Sequence, residues 1–148
     1  MHQDFISDLC HEDSSKRLIA FSKAIAFEER MHLVIPEIVE QFFKLPFSST
    51  NQTKRFDRIF HSHCKLIGFS GNTAIPHLLR YLKSCDASLQ MKAIFAFSFF
   101  DVDIEFISFR LLSEDLSNDR WVIFQTITTI LSFFKRNQLS KTATLLFQ

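Results

Sequence analysis

One stretch of the chain, residues 73–100, has an apolar spacing typical of a pair of helices. In its first half, apolar residues recur at the i, i+3, i+4 and i+7 positions of one helical stripe. These residues are Ile75, Leu78, Leu79 and Leu82. Pro76 falls in the first turn, where its missing N–H costs nothing. Polar residues interrupt the pattern at 84–86, and the second half has two apolar stripes, so this helix needs cover on both sides. We predict a helical hairpin packed between neighbours.

The composition favours helices in the rest of the chain as well. The 148 residues include only 2 Gly but 19 Phe. Tight turns between strands commonly need Gly at positive φ, so few such turns are available, and Phe supplies large core side chains. A chain of this length can bury most of its unfolded surface as one unit. We therefore predict a single all-α domain over residues 1–148.

Two internal repeats divide the chain into hairpins. A shift of 29 residues superimposes the hairpin at 73–100 on the next one and pairs Asp86 with Asp115 in their turns. A shift of 73 residues similarly pairs Asp13 with Asp86. Repeated units of this size are typical of stacked helical arrays. We predict four hairpins, at 3–31, 34–69, 73–100 and 102–136. After a polar turn at 135–138, we predict a C-terminal capping helix at 138–147.

Local signals indicate several helix ends. Asp13 or Ser14 is a suitable N-cap for the second helix. Pro36 is expected in the first turn of the third helix, in the same way as the proline of the central hairpin. Gly68 or Gly71 provides a left-handed C-cap for the fourth helix.

The hairpin pattern resembles the short HEAT-like repeats, which combine an Ile-Pro-x-Leu-Leu-x-x-Leu helix, a turn with Asp, and a second helix with an inner Ala. The matching residues are Ile75, Pro76, Leu78, Leu79, Leu82, Asp86, Ala93 and Ile94. Arg17 and Arg120 match the basic residue that usually opens the second helix, whereas Phe replaces the usual closing Leu-Gly. The resemblance implies a right-handed stack of about four antiparallel hairpins, an α-solenoid, that serves as a binding scaffold and not as an enzyme.

Charge and cysteine content bear on the compartment. The formal net charge of +1 gives no whole-molecule field toward nucleic acid or an anionic membrane. The first residues are acidic and polar, unlike a signal peptide, and the longest apolar run is far shorter than the roughly 20 residues of a membrane span. Three widely spaced cysteines, Cys10, Cys64 and Cys85, suit free thiols in a reducing environment. We expect a cytoplasmic protein that does not contact membranes.

The segment His61-Ser62-His63-Cys64 is the densest group of potential metal ligands. On a helix, His61 and His63 point about 200° apart, so they cannot share one ion without further ligands. A Cys-His nucleophile is the other possible interpretation, but no glycine-rich or strand-to-turn context accompanies it. We interpret these residues as surface or packing side chains and predict no catalytic residue, no metal and no cofactor.

Acidic residues are concentrated in the fourth predicted hairpin. They are Asp101, Asp103, Glu105, Glu114, Asp115 and Asp119. One interpretation is that they complement helix dipoles near helix N-termini. The other is that they form a carboxylate surface for a basic partner. Basic residues are concentrated elsewhere in the sequence, which predicts an uneven distribution of charge: Lys54, Arg55, Arg58, Lys65, Lys135, Arg136 and Lys141.

Trp121 lies beside Arg120 and close to Asp119. This group resembles the aromatic and acidic side chains with which HEAT-like DNA glycosylases hold a damaged base. That resemblance implies nucleic-acid binding. The acidic residues nearby would repel a phosphate backbone, so we keep nucleic-acid binding as an alternative only. An adaptor or lyase-type HEAT scaffold is a further alternative.

The small, Phe-rich, Gly-poor chain also resembles the immunity proteins of bacterial contact-dependent inhibition systems, some of which have HEAT-like scaffolds. This resemblance implies a cognate protein toxin as partner, expected to be a basic nuclease domain. The acidic residues and a loop at 47–53 would cover the active site or substrate groove of the toxin. Tyr, Trp and Arg dominate binding hot spots. The expected anchors are therefore Arg110, Trp121 and Tyr81.

Overall fold

Helices make up the protein in the part of the chain that the computed structural model describes, residues 2–45 and 54–146. Within these residues there are eight α-helices and two short 3₁₀ turns, at Glu28–Arg30 and Gly71–Thr73, with no strand. The helices are α1 (His2–Asp8), α2 (Ser14–Ala26), α3 (Met31–Lys44), α4 (Lys54–Ser70), α5 (Ile75–Leu82), α6 (Ala87–Phe97), α7 (Ile104–Ser113) and α8 (Arg120–Leu146). The predicted all-α class is confirmed. None of these helices combines the length and the apolar character needed to cross a bilayer.

Helices that are adjacent in sequence pack in pairs: α1 with α2, α3 with α4, α5 with α6, and α7 with α8. Further contacts connect α1, α3 and α5 in series, and α2, α4, α6 and α8 in series. α6 consequently has neighbours on several sides, which explains why its sequence is apolar nearly all round. The largest fully buried side chains include Phe42 of α3 and Phe97 of α6.

Three helices begin with the same capping arrangement. The carboxylates of Asp13, Asp86 and Asp119 accept hydrogen bonds of 2.8–2.9 Å from the backbone N–H two residues later. The backbone N–H of each Asp donates to the side chain two residues earlier, and these side chains are His11, Ser84 and Ser117. Each cap satisfies backbone donors that the first turn leaves open. The predicted equivalence of Asp13 and Asp86 is thus confirmed. Of the two N-cap candidates for α2, Asp13 and Ser14, the cap is Asp13.

The 29-residue repeat holds for the first helix of the hairpin but not for the second. α5 and α7 begin 29 residues apart, at Ile75 and Ile104. α6 and α8 begin 33 residues apart, because α7 is two residues longer than α5 and the connection before α8 is two residues longer than the one before α6. The structural equivalent of Asp86 is therefore Asp119, and the predicted pairing of Asp86 with Asp115 is wrong.

Pro36 lies inside α3, so its predicted position in the first turn is wrong. α3 begins at Met31, directly after the 3₁₀ turn. A proline inside a helix removes the hydrogen bond to the carbonyl four residues earlier, here that of His32. Both residues are exposed, so water can solvate this carbonyl while the opposite face of α3 stays packed. Pro76, in contrast, lies in the first turn of α5 as predicted.

Two glycines near the end of α4 have different roles. Gly71 has a φ of 61°, in the left-handed region, as predicted for one of the pair. Gly68 lies within α4, where a β-carbon would stand 2.5 Å from the backbone oxygen of Phe99. The absence of a side chain at Gly68 therefore allows α4 to approach the segment that follows α6.

Gln90 of α6 is a buried polar residue that connects three parts of the fold. Its Nε2 donates to the carbonyl oxygens of Leu82, at 3.0 Å, and Ser84, at 2.9 Å, at the end of α5. Its Oε1 accepts a 3.1 Å hydrogen bond from the N–H of Ser117, before α8. These hydrogen bonds offset the cost of burying the amide.

Lys92, also buried on α6, holds the end of α3. Its Nζ donates to the carbonyl oxygen of Phe43, at 3.1 Å, and to that of Leu45. Carbonyl groups at a helix C-terminus lack intrahelical donors and carry partial negative charge, so they favour a cation. Burial lowers the pKa of the Lys92 ammonium, and the Asp86 carboxylate acts in the opposite direction.

α8 runs without interruption from Arg120 to Leu146. The predicted turn at 135–138 is therefore wrong, and most of the capping helix expected at 138–147 is instead the last part of α8. Lys, Arg and Gln are good helix formers, and a single Asn does not break a helix. Arg136 also fixes this part of α8, because its guanidinium donates to Asp101 and to the carbonyl oxygen of Ser98, each at 2.8 Å.

Candidate functional site

Two of the six acidic residues at 101–119, which we call the acidic segment, form ion pairs. Nη1 of Arg136 lies 2.8 Å from Oδ1 of Asp101. On α7, Nη2 of Arg110 lies 2.5 Å from Oε1 of Glu114 in an i, i+4 pair. Each pair neutralises one carboxylate locally. Arg136, which the sequence assigns to a separate basic group, is thus brought onto the acidic segment by the continuous helix α8.

The other four carboxylates of the set, Asp103, Glu105, Asp115 and Asp119, are exposed and have no ion-pair partner among the residues described. Asp119 caps α8, and Glu105 lies in the first turn of α7, where the helix dipole favours a negative charge. Asp103 precedes α7 at a φ of 53° and makes no capping hydrogen bond with its side chain. Asp115 lies in the connection before α8. Helix-end solvation therefore accounts for only part of the set.

α7 exposes apolar side chains beside these carboxylates. Its inner face buries Ile107 and Leu111. Its outer face exposes three large side chains, which we call the α7 strip: Phe106, Phe109 and Leu112. Phe109 and Leu112 leave 67% and 71% of their surface in solvent. Glu105 precedes Phe109 by one helical turn, on the same face. A patch of this kind, edged by charged groups, is typical of a protein-binding surface.

No protein-family model, curated protein or solved structure matches this chain. The interpretation of the α7 strip therefore rests on its own chemistry. The strip is exposed and largely aromatic, and the carboxylates near it have no ion-pair partner in the described part of the chain.

Two of the predicted anchors lie near the acidic segment. Trp121 is exposed in the first turn of α8, edge-on to Phe124 with 6.4 Å between ring centroids. The guanidinium of Arg120 lies 5.2 Å from the centre of the indole ring. Arg110 is partly buried and is held by its ion pair with Glu114. A partner could therefore contact Trp121 directly, whereas Arg110 first has to leave its carboxylate.

The third predicted anchor, Tyr81, has different surroundings. It lies on α5, whose main helix contacts are with α3 and α6. Its ring stacks on Phe43, with 3.5 Å between ring centroids and 9° between ring planes. This stack supports the core, so Tyr81 already has a packing role within the fold.

The two histidines of the His-Ser-His-Cys segment diverge as predicted. His61 is exposed, whereas His63 is fully buried. The Nδ1 of His63 donates to the carbonyl oxygen of Ile59 at 2.8 Å, and its Nε2 accepts from Nε2 of Gln41 at 2.8 Å. Among residues 2–45 and 54–146, no three His, Cys, Asp or Glu side chains are grouped so as to hold a metal ion.

The thiol groups near His63 are in environments that favour their neutral form. Cys10, Cys64 and Cys85 form no disulfide, in agreement with the prediction of free thiols. Sγ of Cys10 lies 4.0 Å from Nε2 of His63. Burial raises the pKa of Cys10 and of Cys64 and lowers the pKa of His63. A thiolate nucleophile beside an imidazolium requires the opposite shifts.

A groove of about 340 Å³ lies between α2 and α4. Three cationic side chains line it: Arg17, Arg58 and Lys65. His61 and two serines add polar groups. The side chains of the other basic residues predicted here, at 54 and 55, lie outside the described part of the structure, as does the loop predicted at 47–53.

Proposed function

We propose that this chain is a protein-binding domain whose partner presents a basic surface. The observation that carries the proposal is the α7 strip, whose exposed aromatic and aliphatic side chains lie near carboxylates that have no ion-pair partner among the described residues. Burial of large side chains contributes most of the free energy of binding at interfaces. Carboxylates around them speed association with a basic partner and exclude acidic ones. The protein then acts by binding and not by catalysis.

We also propose that the helix pairs form a HEAT-like stack. The serial contacts of the odd-numbered helices α1 to α5 and of the even-numbered helices α2 to α8 support this arrangement, as does the recurring Asp cap. In such an array each unit contacts only its neighbours. Within the described residues, the α7–α8 pair has a neighbouring unit on one side only, the α5–α6 pair.

The specific form of the proposal is an immunity protein that neutralises a cognate bacterial toxin in the cytoplasm. A nuclease is the expected toxin, because its substrate groove must be basic to hold a phosphate backbone. Four exposed carboxylates are suited to cover such a groove: Asp103, Glu105, Asp115 and Asp119. The α7 strip would supply the apolar contacts beside them.

The test uses the product of the reading frame adjacent to this gene. That product, expressed alone, should stop bacterial growth, and co-expression of this chain should restore it. Replacing Asp103 and Glu105 by Lys should weaken protection and slow association at low salt, since charges at an interface rim act mainly on the association rate. Replacing Glu29 and Glu40 by Lys adds the same charge elsewhere and should leave protection intact.

Two results would contradict the proposal. A harmless adjacent product, or growth arrest that persists with this chain present, refutes the immunity form. An association rate unchanged by the Asp103 and Glu105 substitutions refutes the proposed binding surface.

The groove between α2 and α4 favours nucleic-acid binding as the second candidate function. Its three cations could contact successive phosphates, with an affinity that falls steeply as salt is added. Mobility-shift assays at low salt should then show a complex with DNA or RNA that is lost when Arg58 and Lys65 are replaced by Glu. Absence of a shift at low salt excludes this candidate.

A further inference from the structure

α8 carries a second apolar surface, distinct from the α7 strip. Its inner face packs on the fold through Val122, Thr129 and Phe133, which are buried. Four of its exposed large side chains lie along one outward stripe, which we call the α8 seam: Phe124, Ile127, Leu131 and Phe134. Between 54% and 68% of the surface of each is exposed. Their spacings of three, four and three residues are those of a helix that pairs lengthwise with another helix.

We propose that the α8 seam binds the α8 seam of a second copy in antiparallel orientation, which gives a two-fold symmetric dimer. The proposal goes beyond the proposed function, since it concerns another helix and another occupant. The seam complements itself: its residues are placed symmetrically about position 129. A two-fold rotation therefore sets Phe124 against Phe134 and Ile127 against Leu131 of the second copy.

The side chains beside the seam favour the antiparallel orientation over the parallel one. Asp119 and Trp121 lie at the start of α8, and Lys135 is exposed at the far end of the seam. Trp121 and Lys135 are two heptads apart, so they share one edge of the seam. Antiparallel pairing brings Lys135 of each copy to the level of Trp121 of the other, where a cation–π contact forms beside the one that Arg120 makes with the same ring. Parallel pairing would place the two Lys135 ammonium groups together.

The size of the seam bears on the strength of the dimer. From Phe124 to Phe134 it extends about 15 Å along the helix. Its area is smaller than the roughly 800 Å² per partner of a standard interface. The net charge of +1 adds little repulsion between two copies. We therefore expect a reversible dimer with a micromolar dissociation constant.

Sedimentation velocity of the full chain from about 1 µM to about 500 µM tests the proposal. Wild-type protein should change from monomer to dimer over this range. Leu131→Glu should raise the dissociation constant by about tenfold or more, because each interface then buries carboxylates against Ile127. Leu18→Glu is the matched control: Leu18 of α2 is 66% exposed and Leu131 is 61% exposed. This control should dimerise as the wild type does, and both variants should retain the wild-type circular dichroism spectrum.

Disulfide trapping tests the orientation. In a Cys85→Ser background, Trp121→Cys protein mixed with Lys135→Cys protein should form a covalent heterodimer, and neither variant alone should form a covalent homodimer. Homodimers of each variant would instead show parallel pairing. The proposal is overturned by any of four results: parallel pairing, a monomer at every concentration, higher oligomers, or a dimer unaffected by Leu131→Glu. A monomer, higher oligomers or an unaffected dimer would mean that the seam has another occupant or none.

Discussion

The Nε2 atoms of Gln41 and His63 lie 2.8 Å apart, and this contact sets the protonation state of a buried imidazole. The same Gln41 nitrogen donates to the carbonyl oxygen of Ile6 at 2.9 Å, so it is a donor in both contacts. Nε2 of His63 must then accept, while its Nδ1–H donates to Ile59. Through this neutral histidine, α4 is connected by way of α3 to the N-terminal helix α1.

Acidification should therefore destabilise the protein. The unfolded chain protonates His63 near its ordinary pKa of 6.5, whereas burial lowers the pKa in the folded state. The unfolded state binds more protons below about pH 6.5, so the free energy of unfolding decreases as the pH falls below that value and is retained above it. Urea unfolding between about pH 7.5 and about pH 5 measures the slope.

Two variants assign this slope to the buried histidine. His63→Gln should be less stable than the wild type at neutral pH but should lose less stability on acidification. His32→Gln, which changes an exposed histidine of α3, should retain the wild-type slope. Equal slopes for His63→Gln and the wild type would assign the effect to other groups.

Replacing Gly68 by Ala should destabilise the fold even though Gly68 lies within a helix. In an open helix this change stabilises by about 1 kcal/mol. Here the new β-carbon would stand 2.5 Å from the Phe99 oxygen, so α4 and the segment after α6 must move apart. We expect a net loss of about 1–3 kcal/mol in urea unfolding. Ser62→Ala, on the same helix, should stay within about 0.5 kcal/mol of the wild type. A Gly68→Ala protein of wild-type stability would contradict the close approach.

Lys92→Met should weaken the end of α3. The substitution retains an aliphatic side chain but leaves the carbonyl groups of Phe43 and Leu45 without their donor. Unsatisfied buried acceptors cost about 1–3 kcal/mol, and removal of a buried charge offsets part of this cost. We expect a net destabilisation of about 1–2 kcal/mol by guanidinium unfolding. Lys83→Met, at an exposed position, should have little effect. A gain in stability for Lys92→Met would mean that ammonium desolvation outweighs the two hydrogen bonds.

Tyr81 and Trp121 should respond differently to truncation. Tyr81→Ala removes the stack on Phe43 and should lower the free energy of unfolding by about 1–3 kcal/mol, whereas Tyr81→Phe retains the ring and much of that stability. Trp121→Ala removes an exposed ring and should leave stability within about 0.5 kcal/mol. Thermal unfolding of the three variants compares them. A stable Tyr81→Ala protein would show that the stack is dispensable.

Helix starts could be predicted from the sequence because capping is local. The Asp13 cap of α2 and the proline of α5 depend on residues within one turn, and both positions were recognisable, whereas the Asp119 cap of α8 was missed because the repeat shift pointed to Asp115. Pro36 was misplaced because packing of the buried face of α3 outweighs one lost hydrogen bond. Leu18, Phe21 and Ile25 of α2 recur at the spacing of one helical face, which predicts that all three point inward, yet Leu18 is exposed. Periodicity finds a stripe but does not show which neighbour, if any, covers it.

The candidate surface was predictable only in part. Charge counting identified the acidic residues of the fourth unit. Trp121 stood out because it is the single Trp of the sequence. Neither signal identified the α7 strip, because Phe106 and Phe109 have the same apolar character as the many Phe residues of the core. The pairing of Asp101 with Arg136 joins positions 35 residues apart. Such a contact depends on α8 continuing past 135, which the composition of that segment did not reveal.

Gln90 has a consequence for how the protein unfolds. Stacked helical units tend to unravel one at a time when the coupling between neighbours is weak. The Gln90 amide binds the end of α5 and the connection before α8, so the α7–α8 pair cannot detach from α5 and α6 without leaving buried polar groups unsatisfied. The third and fourth units are therefore expected to melt as one cooperative block. A ligand that engages α7 would then raise the melting temperature of that whole block and not of one helix.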